Sequence, residues 1–227
     1  MLISLENIEQ IFRDFAKILK KKNRTNGLSC ELIVVGGASV LLNYGFRETT
    51  EDIDCYDMNG ALMNEVVEEI AKKYNLPYDW INTGFVNTGS YSPKIIQYSS
   101  FYKSYGNGVL NIRTIKDEYL IAIKMVSARK YKTDYSDIVG IISSCKNKGI
   151  TFEYSQIEQA LINLYGNANI VKPDIVDFVK KQLYSSGSDY SEVRTIEINN
   201  RATLVNMKNN QPGIKTEVID KELDEIK

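Results

Sequence analysis

The chain has 227 residues, 43% hydrophobic and 25% charged, with a formal net charge of −1 and no histidine. That balance suits one large globular domain or two small ones. The missing histidine removes Ser-His-Asp triads, Cys-His pairs, HExxH zinc sites and any imidazole base, leaving carboxylates, lysine, tyrosine, cysteine or an oxygen-bound metal to carry chemistry.

Near-zero net charge argues against a dedicated duplex-DNA binder, although a local basic face would suffice for RNA. Cys30, Cys55 and Cys145 are odd in number and lack CxxC spacing. Neither a disulfide framework nor a zinc site is expected, and Cys30 and Cys55 read as core residues. No apolar run approaches the roughly 18 residues of a spanning helix. The opening MLISLENIEQ lacks the basic-then-apolar order of a signal peptide, so a cytoplasmic chain without membrane contact is expected.

In chain order, Ser4 precedes Ile8, Ile11, Phe12, Phe15, Ile18 and Leu19, a helical stripe with its cap. That helix is expected to end near Lys22, before Asn26-Gly27; the basic Lys20-Lys21-Lys22 with Arg24 suits a solvated helix end. Leu32–Val35 is a β-branched run read as a buried strand. Gly36-Gly37 ends it, and 38–43 reads as a short helix. Asp52-Ile53-Asp54-Cys55-Tyr56 alternates as a second strand. Residues 62–74 form a helix before Pro77. Residues 79–92 read as loop, and Ile95–Tyr98 and Val109–Ile112 as strands about the turn Gly106-Asn107-Gly108. Helices follow over 117–130, 134–147 (with Asp134 as a candidate cap), 155–165 and 173–184. The polar segment 186–227 suggests a hairpin near Arg194–Met207 and a loosely ordered end. The expected fold is α+β, a small mixed sheet flanked by helices with a helical C-terminal half. The boundaries are a core over 1–115, a helical region over 116–185 and a tail over 186–227.

Asp52 and Asp54 are two apart on a strand, so both carboxylates point to one face. Such a pair repels unless a cation lies between, and Mg²⁺ (or Mn²⁺) is commonly held by one or two carboxylates plus substrate phosphates. Gly36-Gly37 at a strand-to-helix turn lets backbone N–H groups approach a phosphate, and the Ser39 hydroxyl is placed to join them.

These residues resemble the polymerase-beta-like nucleotidyltransferase superfamily: a hydrophobic strand, Gly-Gly or Gly-Ser, then an Asp-hydrophobic-Asp. Here the pattern is Val34-Val35-Gly36-Gly37-Ala38-Ser39, then Asp52-Ile53-Asp54. Arg47-Glu48-Thr49-Thr50 is similar to the Arg-x-Thr segment of bacterial members that include abortive-infection-type toxins. Leu120, Lys124, Ala128-Arg129, Asp134 and Asp137 are similar to their following segment. The resemblance covers about residues 30–140. It implies that Asp52 and Asp54 hold Mg²⁺, and that Gly36, Gly37 and Ser39, with Arg47 and Thr50, hold a triphosphate. It implies that Lys124 reaches the phosphates or the acceptor, while Arg129, Asp134 and Asp137 brace its helix.

Catalysing members carry a third carboxylate on a later strand. Asn111 stands where one strand would offer it, and Asp79 is the nearest candidate. The implied activity is transfer of a nucleoside monophosphate from an NTP to the hydroxyl of RNA, tRNA or protein, as in toxins of toxin–antitoxin or phage-defence systems, with an antitoxin as partner. Arg129, Lys130 and Lys132 are the expected RNA-facing patch. The alternative is a degenerate nucleotidyltransferase that binds without turnover; a third, weaker reading is an antibiotic-modifying enzyme.

Overall fold

The computed structural model describes residues 2–22, 29–56, 61–185, 187–211 and 213–214. A short strand β1 (Ile3–Ser4) leads into helix α1 (Leu5–Lys22), whose start is fixed by Ser4 and Asn7, each side chain accepting the other's backbone N–H. Lys22 in its last turn pairs with Glu65 and Glu69. Arg24 and the Asn26-Gly27 turn lie outside the described residues. There follow β2 (Cys30–Val34), α2 (Gly36–Asn43), β3 (Thr49–Thr50), β4 (Ile53–Tyr56), α3 (Ala61–Tyr74) and β5 (Ile81–Asn82). The hairpin β6 (Ser99–Tyr105) and β7 (Leu110–Ile115) turns at Gly106-Asn107-Gly108, all with positive φ.

The main sheet has the order β5-β4-β2-β7-β6, and β1 pairs separately with β3. It is mixed: β2 runs antiparallel to β4 and parallel to β7, while β5 runs parallel to β4. Alternation on β2 and β4 divides the core between its two faces. Leu32, Val34, Ile53 and Cys55 pack with α1 and α3. Ile33 and Val35 point the other way, into a second cluster with the helices that follow: α4 (Asp117–Ser127), α5 (Asp134–Asn147), α6 (Tyr154–Tyr165) and α7 (Pro173–Tyr184). The chain is thus α+β, and its helical half is packed on the sheet through one continuous core that crosses the 115/116 boundary.

Three sequence expectations are corrected. Residues 93–98 form a 3₁₀ turn led by Pro93, and the strand begins at Ser99. Within 79–92, Ile81–Asn82 is a strand, because β4 offers it a partner. The expected hairpin near 194–207 is instead helix α8 (Tyr190–Asn210), with Val193, Glu197 and Leu204 buried and most of its surface exposed. The end of the chain from 215 lies outside the described residues.

Helix α8 docks on α5 through Glu197. The backbone N–H groups of Tyr135 and Ser136 donate to its Oε1 at 2.9 and 3.1 Å, and the Ser136 hydroxyl donates to Oε2 at 2.5 Å. The start of α5 is therefore capped from another helix, not by Asp134. Burial nevertheless pushes the Glu197 carboxyl up to about 7, against the pull of the Ser136 bonds. Glu197→Ala strips three donors of their acceptor and is expected to cost about 1–3 kcal/mol in urea unfolding. Glu197→Gln keeps an oxygen at Oε1 and is expected to lose less than Ala; equal losses would show that these hydrogen bonds contribute nothing.

Candidate active site

The site begins where β2 ends. The Val35 N–H donates to the Asp54 carbonyl at 2.9 Å, so the first turn of α2 is fastened beside β4. Gly36 opens that turn at φ +58°, a conformation side chains disfavour. A Cβ there would lie 3.3 Å from Asp54 Oδ2, so the bare backbone of α2 faces the carboxylate directly. The first N–H groups of a helix have no partner within it. Gly37 is needed for a different reason: a Cβ there would lie 2.6 Å from an Arg47 guanidinium nitrogen and 3.1 Å from Thr50 Oγ1.

Asp52 immediately precedes β4 and is exposed, while Asp54, on the strand, is partly buried. Burial, and then neighbouring Asp52, push the Asp54 carboxyl up to about 6; Arg129, Lys124 and Lys132 pull the other way. Asp52 is raised by burial and then by Glu51, opposed by Lys132 and a hydrogen bond from Asn82. On β5, Asn82 stands in register with Asp54. The strand position beside the acid pair is therefore an amide. Asp79 sits in the exposed turn before it, outside the cavity lining, and its backbone oxygen accepts from Asn82. Asn82 was invisible to sequence reasoning because a two-residue strand carries no periodicity.

Behind the acids lies a buried ionic network. Lys124 Nζ is 3.0 Å from Asp134 Oδ1 and 2.7 Å from Asp137 Oδ2. Arg129 Nε donates to Asp134 at 2.8 Å; Arg47 bonds both Asp137 oxygens and the Thr133 hydroxyl, which donates in turn to Asp137. Burial alone would lower the Lys124 pKa, but the Asp137 and Asp134 charges overcome it and raise it. Asp134 and Asp137 occupy the first turn of α5, where the helix dipole favours anions. Lys124 is not a lysine reaching freely toward a ligand, since its charge is committed to two carboxylates.

Acids, glycine turn and network share a cavity of about 350 Å³, within the range of ligand sites. Among the described residues its lining includes Gly36, Gly37, Thr50, Glu51, Asp52 and Asp54, with six cations: Arg47, Lys124, Arg129, Lys132, Arg194 and Arg201. The last two come from α8, the segment expected to be a hairpin. Ser39 is corrected: it is fully buried behind the turn, outside the cavity lining, and its Oγ accepts the Ile115 N–H at 3.3 Å, joining α2 to β7. The Thr50 hydroxyl donates to the Asp52 carbonyl at 3.1 Å and so shapes the approach to the acid pair.

Among the described residues no group of three or more acidic or thiol side chains converges as a metal cage. The donor set Asp52 and Asp54 fits a cation that completes its shell with water and phosphate oxygens, as Mg²⁺ does. No described helix is long and apolar enough to cross a membrane.

A family model described as a nucleotidyltransferase of unknown function (DUF6036) matches residues 6–145. No curated protein and no solved structure matches the chain.

Two measurements test this geometry. Lys124→Ala leaves Asp134 and Asp137 short of counter-charge in the interior and is expected to cost about 3–5 kcal/mol in urea unfolding, since breaking a buried pair strands its partner. The second concerns pH. With the Asp54 value raised from 3.8 to about 6, the folded state holds a proton between those values that the unfolded state releases. This group's contribution to ligand-free stability therefore falls as pH rises through 6. A cation must displace that proton, so stabilisation by Mg²⁺ or Mn²⁺ is expected to grow from pH 5 to 7 in thermal melts. Asp54→Asn should melt higher than wild type at pH 7.5 without ligand and lose the cation response.

Proposed function

Because the chain belongs to this nucleotidyltransferase family, we propose that the cavity binds an NTP with Mg²⁺ and transfers its nucleoside monophosphate to an acceptor hydroxyl. The observation that carries the reading is the approach of Gly36 to Asp54: a helix N-terminus and an acid pair face one polyanion-sized, cation-lined space. Bound Mg²⁺ would neutralise the phosphates and support the leaving pyrophosphate. The chain's own residues do the rest. The free N–H groups at the start of α2 hold phosphate oxygens. Asp52 and Asp54 fix the cation beside them. Thr50 and Arg47 keep the turn and the acid pair in register, and Lys124 acts through the network, setting the position of α4 and Arg129. In the step itself the acceptor oxygen bonds to the α-phosphorus, the bond to the β-phosphate oxygen breaks, and the hydroxyl proton passes to solvent. Positioning and charge neutralisation then supply most of the rate.

The acceptor we favour is RNA, because Lys132 and Arg129 at the cavity continue into Lys130 on the same loop. The motif resemblance to bacterial toxins supports a role in a toxin–antitoxin or phage-defence system, with an antitoxin as partner. Asn82 supports a second reading: an amide at the position beside Asp54 cannot take a proton, which suits a protein that binds nucleotide without turnover.

Incubation with each labelled NTP, Mg²⁺ and total RNA or protein separates the two. Pyrophosphate release with label on RNA is expected, lost in Asp54→Asn, and faster in Asn82→Asp. Nucleotide binding without release from any NTP would leave the binding-only reading in place. Charge reversal at Lys132 is expected to weaken RNA binding and flatten its salt dependence, because phosphate contacts release counterions.

A further inference from the structure

Helix α8 lies beyond the family-matched span of residues 6–145, yet it supplies two of the six cations that line the cavity among the described residues. Arg194, Glu197, Arg201 and Leu204 follow one another at spacings of three and four, so they share one helical face. That face is pinned between the two arginines. Glu197 is held at the start of α5, and the Asn200 amide donates to the Lys130 carbonyl at 2.9 Å. Leu204 is buried against Tyr131, so the register of α8 is fixed on both sides of Arg201.

The cations differ in how they are held. Lys124, Arg47 and Arg129 bond carboxylates that are at most 1% exposed, and moving any of them strips a buried charge of one of its two cations. Arg201 pairs with Glu51 at 2.8 Å, and both side chains are more than half exposed. A pair of that kind is worth little and is easily exchanged. Glu51 itself lines the cavity next to Asp52. Arg194 lies 3.6 Å from Glu197, whose oxygens already accept from three donors.

We infer that α8 is the phosphate clamp of this site: Arg201 leaves Glu51 for the β- and γ-phosphates of the nucleotide, and Arg194 joins it. The inference rests on the nucleotide reading of the cavity. It adds that the affinity of the site depends on a helix outside the shared nucleotidyltransferase segment. Guanidinium groups suit the task, since they meet phosphate oxygens with paired donors. The clamp is directed at the nucleotide because both arginines line the same small space as Gly36, Gly37 and the acids, whereas the basic loop of Arg129 and Lys132 leads out of that space to Lys130.

Calorimetry on the full chain with magnesium tripolyphosphate and with each of the four magnesium NTPs tests it. Arg201→Ala is expected to weaken both kinds of ligand roughly tenfold or more, as loss of a charge-assisted bond does. Arg201→Lys should recover part of the loss. Glu51→Gln should tighten binding, because phosphate no longer displaces a carboxylate. Glu51→Gln should tighten binding clearly less in the Arg201→Ala background than in the wild type, a coupling that damage to the fold would not produce. Ligand is also expected to slow amide exchange across α8 in the wild type and not in Arg201→Ala.

If Asp54→Asn abolishes binding while Arg201→Ala and Arg194→Ala leave it unchanged, the clamp is wrong and the site stands. Weakening of RNA binding alone in Arg201→Ala also overturns the clamp. Wild-type protein that binds none of these ligands overturns the site reading and the clamp together.

Discussion

The structure hangs on the ionic network of Lys124, Arg47 and Arg129 around the buried carboxylates of Asp134 and Asp137. Lys124 and the two carboxylates lie almost out of water, Arg47 is largely covered, Arg129 stays partly open to solvent, and each carboxylate is bonded by two of the cations. Ions removed from water are costly unless their partners are well placed. The network therefore dictates how α4, α5 and the segment after α2 meet. Arg47 carries this constraint to the active surface, since its guanidinium fills the space that Gly37 leaves open. A sequence with any residue but glycine at 37 would have to move Arg47 and disturb Asp137. The glycine turn, which looks like a ligand device, is equally a packing requirement of the network.

The network also sets the electrical character of the cavity. It offers more positive than negative charge and stands directly behind Asp54, yet Asp54 remains harder to ionise than an ordinary aspartate because burial and Asp52 oppose it. Carboxylates kept under such strain favour whatever neutralises them, either a proton or a divalent cation. This supports a nucleotide site that assembles with its metal. The amide of Asn82 in register with Asp54 leaves the pair without a third acidic neighbour on the adjoining strand, and the tension between binding and turnover is concentrated in that residue.

The parts of this arrangement legible in sequence were those with strong local signals. The β-branched run ending in Gly36-Gly37 and the alternation through Asp54 and Tyr56 locate the turn and the strand, which starts at Ile53, one residue after Asp52, because a two-residue period and a glycine pair are local properties. Helices α5 and α7 were read with their observed limits from apolar spacing. The failures share a cause. Ile81–Asn82 is a strand only because β4 lies beside it. The strand over 99–105 is polar along much of its length, so the apolar Ile95-Ile96 drew the assignment to the wrong place. Helix α8 buries few residues and has little apolar stripe. The sequence has Asp134 and Asp137 brace the helix of Lys124 but does not show that they bond Lys124 itself, because they lie 10 and 13 positions later and return only when α5 folds back. Ser39 followed its glycines in sequence, but its helix turns the hydroxyl to the far side.

The sequence distance between Glu51 and Arg201 has a further meaning for the order in which the molecule is made. A chain emerging from its N-terminus presents the glycine turn and both aspartates within its first quarter. The carboxylates that hold Lys124 and Arg47 come only after residue 133, and the arginines of α8 come later still. Domains generally fold as units, and here one core joins the sheet to the helices that follow it. Until residues 124–132 are made the acid pair lacks the cations that offset it, and the cavity gains α8 along its side only later. Of the elements that line the cavity, α8 is the latest in the sequence, so the lining is complete only once that helix is in place.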